Sequence, residues 1–127
     1  MSVMEGTCHE FVLQGTDATS ICEPSIVNFA YRSGKSSFQF VLRDRAVIGF
    51  FGADEAAVGN SADLLIERIS LNLLMGTETQ SIPATGRCTY SHPYAGPSVI
   101  RCNASTEVGE FKAVFVSDGR EPEIQEF

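Results

Sequence analysis

The sequence predicts an all-β fold, a seven- or eight-stranded antiparallel barrel or sandwich with up-and-down hairpins. Three observations carry that prediction. Short runs rich in β-branched and aromatic residues recur along the whole chain. The segments between them read as turns rather than as long crossovers. Four cysteines fall into two pairs, Cys8 with Cys22 and Cys88 with Cys102, and each pair has the same separation in sequence.

The elements follow in order. His9-Glu10-Phe11-Val12-Leu13 is a short apolar strand. Ser25 to Tyr31 alternates, with Val27, Phe29 and Tyr31 on one side and Ile26 on the other. Ser37–Leu42 and Ala46–Phe51 are aromatic-rich strands. Ser33-Gly34-Lys35-Ser36 precedes the first of these as a hairpin loop, and Arg43-Asp44-Arg45 joins the two by a tight reversal. Gly52 to Ala62 reads as a loop. Residues 62–75 fit two patterns. Ala62, Leu65, Ile66, Ile69 and Leu73 have helical spacing, with Asp63 as an N-cap, Glu67 in the first turn and Gly76 as a stop. Ile69, Leu71, Leu73 and Met75 alternate as in a strand, and strand is the reading adopted because the surrounding chain is strand and hairpin. The alternative is an α+β fold with one helix near residues 62–75. Gly86–Ser91, Ser98–Ala104 and Glu110–Val116 complete the set. Residues 1–6 and 119–127 are expected to be loosely ordered ends of a single domain spanning 1–127. Closure into a barrel would remove the exposed edges that the aromatic strands otherwise present.

Composition excludes several classes. The hydrophobic fraction is 43% and the charged fraction 20%, which is ordinary for a globular chain and unlike a coiled coil or a disordered tail. No apolar run reaches the roughly 18 residues of a membrane-spanning helix. Sixteen acidic against nine basic residues give a net charge of −7, the wrong sign for a generic nucleic-acid binder.

The cysteines are expected to pair locally, Cys8–Cys22 and Cys88–Cys102, because each pair brackets a turn between strand-like segments. A bridge closing a loop of about 15 residues stabilises by roughly 3 kcal/mol in chain-entropy terms. Zinc fails on spacing, since there is no Cys-x2-4-Cys knuckle and no His-x3-5-His. Disulfides imply a periplasmic or secreted protein. Met1–Gly6 has neither a basic nor an apolar signal region, so the expectation is that a signal peptide has been removed.

Catalytic patterns are weak. Cys8-His9-Glu10 lines up a thiol, an imidazole and a carboxylate, yet on a regular strand Cys8 and His9 point to opposite faces. No nucleophile elbow, metalloprotease helix or phosphate loop is present. Asp54-Glu55 and Glu121 with Glu123 lack the alternating oxygen ligands of a calcium loop. A glycosidase-like pairing of Asp63 or Glu67 with Asp118 has no support in spacing. The protein is therefore expected to be non-enzymatic, with no cofactor and no metal; a small hydrolase ranks last.

Two features suggest contact surfaces. Residues 32–45 carry Arg32, Lys35, Arg43 and Arg45 against Asp44, a basic stretch in an acidic chain. Tyr90-Ser91-His92-Pro93-Tyr94-Ala95-Gly96-Pro97 is an aromatic, proline-stiffened loop, with Tyr90, His92 and Tyr94 as the expected anchors. Asn103-Ala104-Ser105 is a formal glycosylation sequon.

Length, cysteine pairs and strand count resemble small barrel-type inhibitors of bacterial envelopes, and lipocalins, in architecture alone. The chain has no Trp and so lacks the lipocalin Gly-x-Trp signature. The leading expectation is an exported, disulfide-stabilised binding or structural module acting through the Tyr90–Pro97 loop on a protein partner in the cell envelope or extracellular space. The alternative is a carrier of a small apolar ligand inside a barrel lined by Phe11, Phe29, Phe38, Phe40, Phe50 and Phe115. A cavity of several hundred Å3 would favour it.

Overall fold

The computed structural model of the chain describes residues 2–31, 34–43, 46–54, 61–73, 80–91, 98–119 and 123–124. Alternating apolar residues fold as β1 (Ser2–Leu13), β3 (Cys22–Ala30), β4 (Lys35–Leu42), β5 (Ala46–Asp54), β6 (Ser61–Leu73), β7 (Gln80–Ser91), β8 (Val99–Thr106) and β9 (Gly109–Ser117). Two short strands, β2 (Thr16–Asp17) and β10 (Glu123–Ile124), pair with β1, and Thr19–Ile21 forms a single 3-10 turn. Each long strand pairs antiparallel with its neighbour in sequence, and β1 closes the ring against β9 from Gly6–Ser117 to Leu13–Phe111. The result is an eight-stranded up-and-down barrel. No α-helix occurs among the described residues, and no helix there is long and apolar enough to cross a membrane.

The period of two decides which side chains are inside. Phe38, Phe40 and Leu42 of β4 face Phe50, Ile48 and Ala46 of β5, and all six are buried. Phe111, Ala113 and Phe115 do the same on β9, as do Ile100, Cys102 and Ala104 on β8. An eight-stranded barrel is just wide enough for side chains to fill it or for one small ligand to fit. Here the middle is filled. The Phe40 ring lies 5.3 Å from Phe11, 5.7 Å from Phe50 and 6.5 Å from Phe115, in tilted or edge-on contacts that suit the ring quadrupoles.

Phe29 is not part of this interior. It pairs in register with Ser37, and Ser37 with Phe51, on the outer face of the sheet. Its alternation with Val27 and Tyr31 had already separated it from Ile26, which is fully buried.

Residues 61–73 are strand, and a bulge explains the double pattern. Register shifts between Ile66 and Arg68 against β7, so the inward positions run Leu64, Ile66 and Ile69, all buried, and the half-buried Leu71. Changing phase in mid-strand introduces a helix-like step of three. Leu65, needed for a helical face, is an exposed outer residue.

Residues 2–5 pair with Asn28–Ser25 of β3, and Ser2 and Val3 also pair with β10, so they belong to the sheet. Among residues 119–127, Glu123 and Ile124 are paired strand residues.

Both disulfides are local, Cys8–Cys22 and Cys88–Cys102. Cys88 and Cys102 are direct cross-strand partners, fully buried, facing the interior, with Cα atoms 4.0 Å apart. Cys8–Cys22 joins β1 to the first residue of β3. A bulge between Cys8 and Glu10 does occur, but the Cys8 sulfur is bonded to Cys22 and is not a free nucleophile.

Candidate functional site

The site begins with a turn. β1 ends at Leu13 and reverses through Gln14 and Gly15, whose φ values are 51° and 84°. Two successive positive φ values are what a tight type I′ reversal needs, and glycine adopts them without strain. The chain then runs back as β2 and the 3-10 turn, and residues 14–21 lie over one end of the barrel as a lid.

Hydrogen bonds hold the lid down at both ends. Ala18 N–H donates to Phe11 O at 2.7 Å, and Phe11 N–H donates to Thr19 Oγ1 at 2.9 Å. The Thr19 hydroxyl in turn donates to Asp17 Oδ1, which also accepts from Thr19 N–H at 2.9 Å. These bonds hold the Asp17 carboxyl below its usual pKa, the Thr19 hydroxyl contributing most and the Thr19 N–H next. At the far end Arg43 N–H donates to Ile21 O at 2.7 Å and the Arg43 guanidinium to Ser20 O at 3.2 Å. Cys8–Cys22 encloses the whole segment covalently.

Beneath the lid is a cavity of about 460 Å3. Ile48 and Phe111, each 1% exposed, form its deepest surface, with Leu13, Leu42, Ala46 and Leu71 around them and Ala18 and Ile21 on the lid side. Polar groups of Gln14, Thr16, Asp17 and Ser20 lie at its edge. Among the described residues Asp17 is the sole titratable side chain in this lining. Volume and lining match those of small-molecule sites, typically ~300–1,000 Å3, mostly apolar with a few placed polar groups.

The predicted contact residues fall elsewhere. Tyr90 is not on a displayed tip. It has the inward parity of Cys88, is half-buried, and packs edge-on against Phe38 at 5.0 Å, at the end of the barrel opposite the lid. His92 and Tyr94 lie outside the described residues, as do Arg32 and Arg45. Lys35 and Arg43 do not form one basic patch: Lys35 begins β4 and Arg43 follows its last residue, about 26 Å apart at roughly 3.3 Å per strand residue. Each is engaged locally, Lys35 with Glu67 and Arg43 with Glu23 at 3.7 Å as well as with the lid. Of the cavity-lining phenylalanines expected, Phe11, Phe38, Phe40, Phe50 and Phe115 are buried core.

Sequence reasoning missed the lid and its cavity. The signal was present in Thr16-Asp17-Ala18-Thr19-Ser20-Ile21, where two apolar residues interrupt a polar run, and in Ala46, a small residue opposite Leu42.

No family model, curated protein or solved structure matches this chain. The functional reading therefore rests on the site.

Proposed function

We propose that the protein is a non-enzymatic carrier of a small, largely apolar molecule bound under the 14–21 lid. The carrying observation is the position of the cavity. It occupies the end of a barrel whose middle is filled by Phe11, Phe40, Phe50 and Phe115, so it is a bounded site rather than loose packing throughout. Eight apolar side chains favour burial of an apolar body, at about 25 cal/mol per Å2 removed from water. Hydroxyls of Thr16 and Ser20 and the Asp17 carboxylate at the edge favour a hydrogen-bond donor at the ligand's outer end. The same carboxylate disfavours an anionic head group. The two disulfides support an oxidising compartment, periplasmic or extracellular. Recognition through the Tyr90–Pro97 loop ranks below this reading, because Tyr90 is engaged with the core.

Titration with 1-octanol, followed by methyl carbon shifts, tests the proposal. Leu13, Leu42, Ile48 and Leu71 should move together and saturably, Leu64 and Ile100 should stay still, and octanoate should bind more weakly. Shifts confined to other methyls, or none at the solubility limit of octanol, would remove the carrier reading.

A further inference from the structure

A second site lies on the outside of the barrel and is independent of the lidded cavity. Across β3 to β6 the outward side chains form rows in register. One row is Phe29, Ser37, Phe51 and Arg68; the next is Val27, Gln39, Gly49 and Ser70. Gly49 carries no side chain in the second row, and Ser70 and Gln39 close over it: a Cβ there would lie 2.5 Å from Ser70 Oγ and 3.6 Å from Gln39 Cγ. Beside it is a hollow of about 390 Å3 lined by Tyr31, Ser37, Gln39, Phe51, Arg68 and Ser70.

The lining has one chemical character. The Arg68 guanidinium lies over the Phe51 ring, 4.1 Å from its centre, a cation–π contact. Among the described residues it has no ion-pair partner, unlike Lys35, Arg43 and Arg87. Tyr31, 47% exposed, tilts against Phe51 with ring centres 5.8 Å apart. Ser37 is 3% exposed and its hydroxyl has no hydrogen-bond partner among the described residues. Buried polar atoms are ordinarily paired, so this hydroxyl stands out as uncommitted in the wall of the hollow. Among the described residues no carboxylate lines the hollow, although the chain carries a net charge of −7.

A cation with planar donors, an exposed ring, two serine hydroxyls and an amide together match a hydroxylated carboxylate with an apolar face. We propose that this hollow binds an acidic pyranose of the hexuronate class. Its carboxylate pairs with Arg68, its C–H face lies against Tyr31, and its hydroxyls exchange hydrogen bonds with Ser37, Gln39 and Ser70. Charge-assisted bonds to guanidinium are the strong ones, so Arg68 supplies most of the selectivity for an acid over a neutral sugar.

Amide NMR titration with D-glucuronate through the millimolar range tests this. The expected result is saturable movement of the Ser37, Gln39, Gly49 and Phe51 amides, with residues 14–21 unaffected. Glucose, which lacks the carboxylate, and benzoate, which lacks the hydroxyls, should each bind more weakly. Arg68→Ala should weaken glucuronate by about tenfold or more. Gly49→Ala should weaken its response while keeping the melting temperature, because the added Cβ would lie 2.5 Å from Ser70 Oγ and turn that rotatable hydroxyl away from its place in the hollow. No response, equal responses to glucose and glucuronate, or undiminished binding by folded Arg68→Ala would overturn the assignment. Octanol binding under the lid is expected to persist in both variants, so failure here leaves the carrier reading intact.

Discussion

Replacing Ala46 with leucine separates a hollow barrel end from a packed one, because the two cases differ in sign. Ala46 is 4% exposed and lines the cavity beside Leu42 and Ile48. Leucine adds three carbons there, worth about 2.4 kcal/mol at ~0.8 kcal/mol each when fully buried. Ordering the longer side chain costs roughly 0.5–1 kcal/mol, leaving a net gain of about 1.5 kcal/mol. For a chain of 127 residues that corresponds to a melting temperature higher by roughly 5 °C. Ala113→Leu is the control. Ala113 is 1% exposed and lies in register between Phe11 and Cys102, both fully buried, so the same three carbons meet filled space. Overpacking there should cost about 1–3 kcal/mol. Guanidinium denaturation should show the midpoint rising for Ala46→Leu and falling for Ala113→Leu, with m unchanged in both. Octanol binding should be lost in Ala46→Leu. If Ala46→Leu falls in stability as Ala113→Leu does, the barrel end is packed and the carrier argument fails.

Three other outcomes follow from the same structure. Converting Cys8 and Cys22 to alanine should cost about 3 kcal/mol and also weaken octanol binding, whereas converting Cys88 and Cys102 should cost a similar amount with affinity kept, as denaturation and titration would show. The Asp17 carboxyl titrates lower in the folded protein than in the unfolded chain, so its stabilising effect is present above pH ~4 and fades as the pH falls through its lowered pKa. The Thr19 amide should therefore lose hydrogen-exchange protection in acid, and Asp17→Asn should remove that pH dependence; retention of it would assign the effect to another group. Gly86→Ala should destabilise by about 2 kcal/mol or more, because its Cβ would meet Asn103 O at 1.9 Å and displace backbone, with circular dichroism melts as the readout.

Much of the barrel was legible because a two-residue period writes one face of each strand directly into the sequence. Phe38, Phe40 and Leu42 could be assigned inward without knowing their neighbours. The cysteine spacing carried the pairing for a similar reason, since each pair brackets a reversal. Legibility failed at bulges, where the period breaks. Glu67 and Arg68 are consecutive exposed residues, and the resulting phase change made residues 62–75 read partly as helix. The barrel's curvature was also invisible. Lys35 and Arg43 are close in sequence, but a strand places them at opposite ends, and their charges are met by Glu67 and Glu23. Tyr90 was read as display because its neighbours are loop residues, although its parity with Cys88 already pointed inward. The cavity was hidden because it depends on a small residue, Ala46, and the outer hollow because its lining comes from strands distant in sequence, with Ser37 on β4 and Arg68 and Ser70 on β6.

The most direct test is a crystal structure of the protein grown with saturating 1-octanol. The account predicts an extended ligand with its tail against Ile48 and Phe111 and its hydroxyl among Thr16, Asp17 and Ser20, under an intact 14–21 lid. Octanol placed on the outer face or at the Tyr90 end, or a mouth refilled by the protein's own side chains, would contradict it.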